Sequence, residues 1–333
     1  MSDRLQDLLR SFRAFADPGA FGVPDSHLHE GGEHDTLVVF SSMIHGDEVG
    51  SLPGLLRAVE ELATGTLSFG GRAAFVVGNA EAGGHGVRFL DSDLNRVFVT
   101  EPPDDREGRR ARALMPLFDA ADVYFDFHQT ILASDQPFYI CPFQMHGWRW
   151  ARAVAGAKVW VTRHPGQAFS SGTMCADEYV RNLGRPGITL ELGEKGFTDL
   201  AEERTHRTIH RVLALLDAIA RGETTLQAAA EAQPELEFFH TVHREPFASM
   251  DHALKPDVIN FQPVAEGERL SADGAPEMVA TTDGVVLFPK YPPRREDGAY
   301  KKPLPKEIYR IVQKLPAHPL EQYADVIPSL PTE

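Results

Sequence analysis

Short apolar runs alternate with helical patterns over the first two thirds of the chain. Leu5, Leu8, Leu9 and Phe12 recur at the spacing of one face of an amphipathic helix. DTLVVFSS (35–42) is short and apolar through its middle, the pattern of a buried strand. LPGLLRAVEELATG (52–65) follows as a helix with a glycine stop at Gly65. GRAAFVVGN (71–79) predicts a second strand, DREGRRARALMPLFDAAD (105–122) a helix, and VYFDF (123–127) a third strand. AKVWVT (157–162) and GITLEL (187–192) add further strands, and EERTHRTIHRVLALLDAIARG (202–222) a long amphipathic helix ending at a glycine. Strands alternating with helices predict an α/β, doubly wound, mostly parallel sheet.

The texture then changes. GETTLQAAAEAQP (222–234) reads as a linker or a fraying helix. FFHTVHREPF, VINFQPVAEGERL and MVATTDGVVLFP are short β-like runs separated by EG and DG turns. Prolines crowd the tail at Pro289, Pro292, Pro293, Pro303 and Pro305. The expected organisation is a catalytic domain over 1–235 and a smaller all-β domain over 236–333.

Composition narrows the function. No stretch approaches the roughly 20 apolar residues of a membrane span, and the N-terminus lacks the apolar core of a secretory signal, so a cytoplasmic protein is expected. Cys141 and Cys175 stand far apart and unaccompanied, which suggests free thiols rather than a disulfide framework or a cysteine zinc site. The formal charge of −15 argues against a nucleic-acid or anionic-membrane partner. It still allows a small anionic ligand, provided that arginines reverse the field inside a cleft. A homo-oligomer is compatible with the sequence, which does not fix the assembly.

In an open parallel sheet, ligands bind beyond the carboxyl ends of the strands. After the first predicted strand come His45, Asp47 and Glu48; after VYFDF comes His128; near the end of GITLEL stands Glu191. Two histidines and a carboxylate with a vacant fourth position form a catalytic zinc set. A spare glutamate beside it can take a proton from water and hand it to a leaving amine. Each element is weak alone, since most H-x-x-E pairs are solvated turn residues. His27, His29 and His34 read as a polar hairpin turn, and His240, His243 and Glu245 as a β run, rather than as ligand sets. Asp91 and Asp93 read as shaping the turn before Asn95.

HGDE (45–48), RFLDSDLNR (88–96), FDFHQT (125–130) and TLELGE (189–194), in this order, resemble the succinylglutamate desuccinylase and aspartoacylase family, with NFQPVAEGERLSADG and VVLFP closest to the desuccinylase branch. The resemblance implies a fold of the zinc carboxypeptidase type with a small β domain over the pocket. It implies one Zn2+ per chain, held by His45, Glu48 and His128. It makes Glu191 the general base and Arg88 the group that polarises the scissile carbonyl. Asn95, Arg96 and, ten positions before Glu191, Arg181 become substrate-binding residues. The implied activity is hydrolysis of a small anionic N-acyl amino acid, foremost N2-succinylglutamate, a step of arginine catabolism. An aspartoacylase-like or other deacylase or carboxypeptidase for a different anionic amide, and a non-catalytic metabolite-binding relative, are the alternatives. Asp47 stands where the family often has Asn, and Gln129 where it often has Thr; the second departure bears on substrate contacts and on support of the third ligand. Tyr291 is a further candidate hydroxyl donor.

Overall fold

The computed structural model describes residues 3–164, 172–291 and 305–324 of the 333-residue chain. Pro292, Pro293 and Pro303 lie outside them. Strands β1 (Ser26–Glu30), β2 (Leu37–Ser42), β3 (Arg72–Val77), β4 (Val123–Thr130), β5 (Phe138–Ile140), β6 (Val159–Thr162), β7 (Gly187–Glu194), β8 (Glu237–Pro246), β9 (Pro263–Val264), β10 (Gly284–Leu287) and β11 (Glu307–Lys314) join in one sheet. Their order is β1-β3-β2-β4-β7-β5-β6-β8-β11-β10-β9. The helices are α1 (Asp3–Phe15), α2 (Leu52–Thr64), α3 (Ala80–Gly84), α4 (Arg106–Ala120), α5 (Met145–Val154), α6 (Ala176–Asn182), α7 (Asp199–Ala220), α8 (Leu226–Glu231) and α9 (Pro319–Gln322). No helix among the described residues is long and apolar enough to cross a membrane.

Alternate side chains of a strand face opposite sides, and β2 is apolar on both. Val38 and Phe40 join Phe75, Phe125 and Phe127 beneath Leu9 of α1, Val59 of α2 and Ile209 of α7. Leu37 and Val39 join Val76 and Tyr124 against Leu114, Leu117 and Phe118 of α4 and Val180 of α6. Helices therefore cover both faces, as the uninterrupted apolar strands require. Burying one such ring contributes roughly 1.5–3 kcal/mol, against about 1 kcal/mol net for a hydrogen bond, so this double core dominates the stability of the sheet. The helix ends follow local chemistry. Pro53 opens α2, whose end at Gly65 needs a φ of +74°. Thr198 caps α7 by accepting from the Ala201 amide at 3.1 Å.

Three expectations change. The sheet is mixed rather than mostly parallel: β3, β2, β4 and β7 run parallel, whereas β1, β5 and β9–β11 pair antiparallel. The described residues of 236–333 do not stand apart as an all-β domain. β8 pairs in parallel with β6, from Val159 with Glu237 to Thr162 with His240, and so continues the same sheet, and the short helix α9 follows β11. This segment has an apolar cluster of its own around Val258, Leu270 and Ile311, but Phe261, Leu287 and Val312 pack on Phe138, Val159 and Val161 across the seam. The local β pattern was visible, while the non-local pairing of β8 with β6 leaves no mark in either segment alone. Finally, the strand Ser26–Glu30 overlaps the stretch 27–34 expected to be a hairpin turn; it is an edge strand, with His27 and His29 bonded to the carbonyls of Phe15 and Phe69.

Candidate active site

The carboxyl end of β2 delivers the first two side chains. Met43 holds a φ of +57°, which turns the chain sharply after Ser42 and aims His45 inward. Gly46 touches backbone: a Cβ there would lie 2.4 Å from the Gly83 nitrogen. Its own amide donates to the Arg88 carbonyl at 2.9 Å, which ties this turn to the 88–96 loop. His128 lies within β4, directly opposite Glu191 of β7, and the ladder shifts register just beyond them.

His45, Glu48 and His128 come together, each nearly fully buried. The Nδ1 of His45 lies 2.8 Å from Glu48 Oε1, and the Nδ1 of His128 lies 2.8 Å from Glu48 Oε2. The two Nδ1 atoms are 3.1 Å apart. Burial disfavours the charged form of His128, but Asp126 and Glu48 outweigh it and hold its pKa well above the ordinary value. Burial would likewise raise Glu48, but His45 and His128 hold it well below the ordinary carboxylate range. The cluster thus calls for positive charge at the point where two imidazole nitrogens and a carboxylate converge. Two imidazoles and one carboxylate are the donor set of a catalytic zinc, and the residues fit that ion.

The outer nitrogens are also held. His128 Nε2 donates to Asp126 Oδ2 at 2.9 Å, and Asp126 Oδ1 accepts from Ser41 at 2.6 Å. His45 Nε2 lies 3.2 Å from Asp93 Oδ1. Asp126 was not anticipated, although D-F-H puts it two positions before His128 and hence on the same face of the strand. Asp93 does shape the turn, accepting from the Asn95 amide at 3.0 Å, and it also backs His45. Replacing Asp126 by Asn should weaken Zn2+ binding about 10- to 100-fold with little change in the fold, as read by competition with a chromogenic chelator.

Glu191 is buried and faces the same pocket. Its Oε2 makes no hydrogen bond among the described residues. Burial first, and then the charge of Glu48, push its pKa up to about 8. Arg88 donates to Asp93 Oδ2 at 3.0 Å and to Glu48 Oε1 at 3.3 Å, on the flank of the ligand group. Its loop is fixed by Glu107 of α4, whose carboxylate accepts from the amides of Leu90, Asp91 and Ser92 at 2.7–3.2 Å. Asn95 and Arg96 line the pocket as well; the Asn95 side-chain Oδ1 accepts from the Ala176 amide at 2.8 Å, and its Nδ2 lies 3.4 Å from His128 Nε2.

Arg181 departs from expectation. It donates to Asp177 four positions back on α6 and, at 2.9 Å, to the Gly187 carbonyl, and it is absent from the pocket lining. Ten-residue spacing could not reveal that a helical i,i+4 partner claims its charge. Tyr291 is also spent, on the Lys255 carbonyl. Gln129 works as a clamp. Its Oε1 accepts from the Gly50 amide at 2.7 Å, its Nε2 donates to the Glu194 carbonyl at 2.6 Å, and its own backbone amide donates to Glu48 at 3.0 Å. Cys141 and Cys175 are free and buried, and burial pushes both thiols up to about 12. Neither the His27/His29/His34 set nor His240/His243/Glu245 forms a metal-holding group among the described residues.

The C-terminal segment supplies a wall that sequence reasoning did not place. Glu307 accepts from Arg310 at 2.6 Å, Lys290 at 3.1 Å and Arg244 at 3.4 Å, so three cations share one carboxylate. With Arg96 and Arg163 they bound a cavity of about 570 Å3 above the ligand group. A chain of net charge −15 thus encloses a locally positive pocket.

The family described as Succinylglutamate desuccinylase/Aspartoacylase catalytic domain matches residues 35–219, more than half of the chain. A succinylglutamate desuccinylase of Pseudomonas paraeruginosa is 28% identical over 294 residues, which covers 78% of this chain and 81% of that protein. The crystal structure of the succinylglutamate desuccinylase of Chromobacterium violaceum superposes with a TM-score of 0.66 at 21% identity, covering 94% of this chain and 98% of that one. Murine aminoacylase 3 superposes with a TM-score of 0.61 at 18% identity, covering 84% and 95%. On the match over 35–219, the chain belongs to the succinylglutamate desuccinylase/aspartoacylase family.

Proposed function

We propose that this chain is a zinc-dependent amidohydrolase of acidic N-acyl amino acids, converting N2-succinylglutamate to succinate and glutamate. The observation that carries the reading is Glu191, a buried carboxyl with an orphaned oxygen that faces the His45–Glu48–His128 group. A bound zinc ion supplies Lewis acidity and makes water more acidic. Water adds to the amide carbonyl, and Glu191 takes its proton. The carbon–nitrogen bond then breaks, and the same proton passes to the leaving amine. A pKa near neutrality suits a group that must both accept and release that proton. Arg88 donates to the carbonyl oxygen as it becomes negative, a contribution commonly worth about 3–4 kcal/mol per donor. The cations around Glu307, with Arg96, meet the substrate carboxylates, and guanidinium forks suit that task. The name carried by the Pseudomonas relative supports the choice of succinylglutamate.

One observation favours a second reading, a deacylase for another acidic amide. Arg181, which the resemblance assigns to a substrate carboxylate, is paired with Asp177 and does not line the pocket. Zinc-loaded protein assayed on succinylglutamate and acetylaspartate separates the two. We expect kcat/KM for succinylglutamate to exceed that for acetylaspartate by at least about tenfold, the equivalent of one lost charged contact. The reverse preference would transfer the protein to the second reading, and turnover of neither would remove the substrate assignment.

A further inference from the structure

A second cluster of ligand-type side chains lies between α2 and α7. His206 and His210 stand one turn apart on the same face of α7. Their Nε2 atoms lie 2.8 Å and 2.6 Å from a single oxygen of Glu61 on α2, Oε2. The two rings are 4.2 Å apart between centroids. The other oxygen of Glu61, Oε1, accepts from Arg57 at 3.2 Å, which leaves Oε2 to the imidazoles. His206 is nearly buried, while His210 remains about one-third exposed, so the cluster is open to solvent on one side.

Two features set it apart from a chance surface pair. The donor atoms converge as closely as in the His45–Glu48–His128 group, with imidazole nitrogens 2.6–2.8 Å from a carboxylate oxygen in both, although here a single oxygen of Glu61 serves both rings. The backbones beneath it are also fixed. Gly54 of α2 lies so close to α7 that a Cβ would meet the Glu202 carbonyl at 2.3 Å. The three side chains therefore project from helices that cannot drift apart.

We propose that Glu61, His206 and His210 form a second transition-metal site, of the zinc class, that staples α2 to α7. Two imidazoles and a carboxylate select a borderline ion such as Zn2+ over Mg2+ or Ca2+, which prefer all-oxygen ligands. The one-third exposure of His210 leaves room for water to complete the coordination. α2 begins right after the turn that bears Glu48, so the staple would steady the element leading out of the catalytic loop.

The test is calorimetric titration of chelator-stripped, full-length protein with ZnCl2, with melting temperature followed in parallel. Wild type should take up a second equivalent that raises the melting temperature further. His210→Gln, which keeps a helix-compatible side chain at the most exposed position, should lower the affinity for that equivalent at least about tenfold and abolish its thermal shift. Turnover with the first equivalent should be unchanged. Glu61→Gln should do the same and serves should His210→Gln fail to fold. A parallel titration in a Glu48→Gln background silences the first group and keeps the result independent of the proposed reaction. A second equivalent that survives both substitutions, or none in wild type, overturns the site.

Discussion

Glu191→Gln lowers kcat by about two to four orders of magnitude while zinc content, measured by elemental analysis, stays at the wild-type level. The geometry explains both halves of that expectation. Glu191 stands opposite His128 in the β4–β7 ladder, but among the described residues its side chain makes no hydrogen bond to His45, Glu48 or His128, and it faces the pocket with one oxygen unbonded. The amide of glutamine fills the same volume but cannot carry a proton from water to a leaving nitrogen. KM should move little, since the proposed reading gives the substrate carboxylates to the cations around Glu307 rather than to Glu191. Full retained activity would end the assignment of Glu191 as the acid–base. Loss of zinc in the variant would instead make it a supporting ligand.

The second large effect is on stability. Without metal, the protein should lose stability steadily from about pH 5 to about pH 8, and the gap in melting temperature between zinc-loaded and zinc-free protein should widen over the same range. Glu191 is raised from 4.5 to about 8 by burial and by Glu48, so the folded state holds a proton that the unfolded chain releases. Its stabilising contribution is complete below the ordinary value and is lost as pH rises through the raised one. His128 acts in the same sense: Asp126 and Glu48 raise it despite burial, and its contribution is full below 6.5 and lost above. Glu48 runs the other way, but its contribution is lost only as pH falls below its ordinary value of 4.5, outside this window. Zinc binding displaces protons from its ligands and therefore strengthens as pH rises. Differential scanning fluorimetry at a series of pH values reads both curves. A constant or narrowing gap would contradict the placement of the ion on His128.

Legibility in the sequence depended on whether a residue's role was set locally. The convergence of His45, Glu48, His128 and Glu191 was recoverable because each lies in the carboxyl half of a strand, or in the turn just after one, that its own apolar run announces, and parallel strands bring such positions to one edge. Asp126 was within reach by the two-residue period of a strand but was passed over. Arg181 was expected at the pocket, and spacing along the chain does not show that it pairs instead with Asp177. The cationic wall of Arg244, Lys290 and Arg310 was invisible for a different reason. It depends on β11 lying beside β8, and β8 beside β6, pairings between segments far apart in sequence. Gln129, noted as a departure from the family, lines the pocket but has its side-chain amide bonded to the backbone of Gly50, Glu194 and Gly196.

The shared ladder between β6 and β8 also limits how substrate can come and go. Were the cationic wall a separate lobe, it could swing on a hinge to admit a ligand and shut behind it. Instead, any such swing would have to tear main-chain bonds from Val159 to Thr162 and pull Phe261 and Val312 off Phe138 and Val161. Among the described residues, the base of the vestibule between ligand group and wall is therefore part of the sheet itself, and its spacing is set by the β6–β8 ladder.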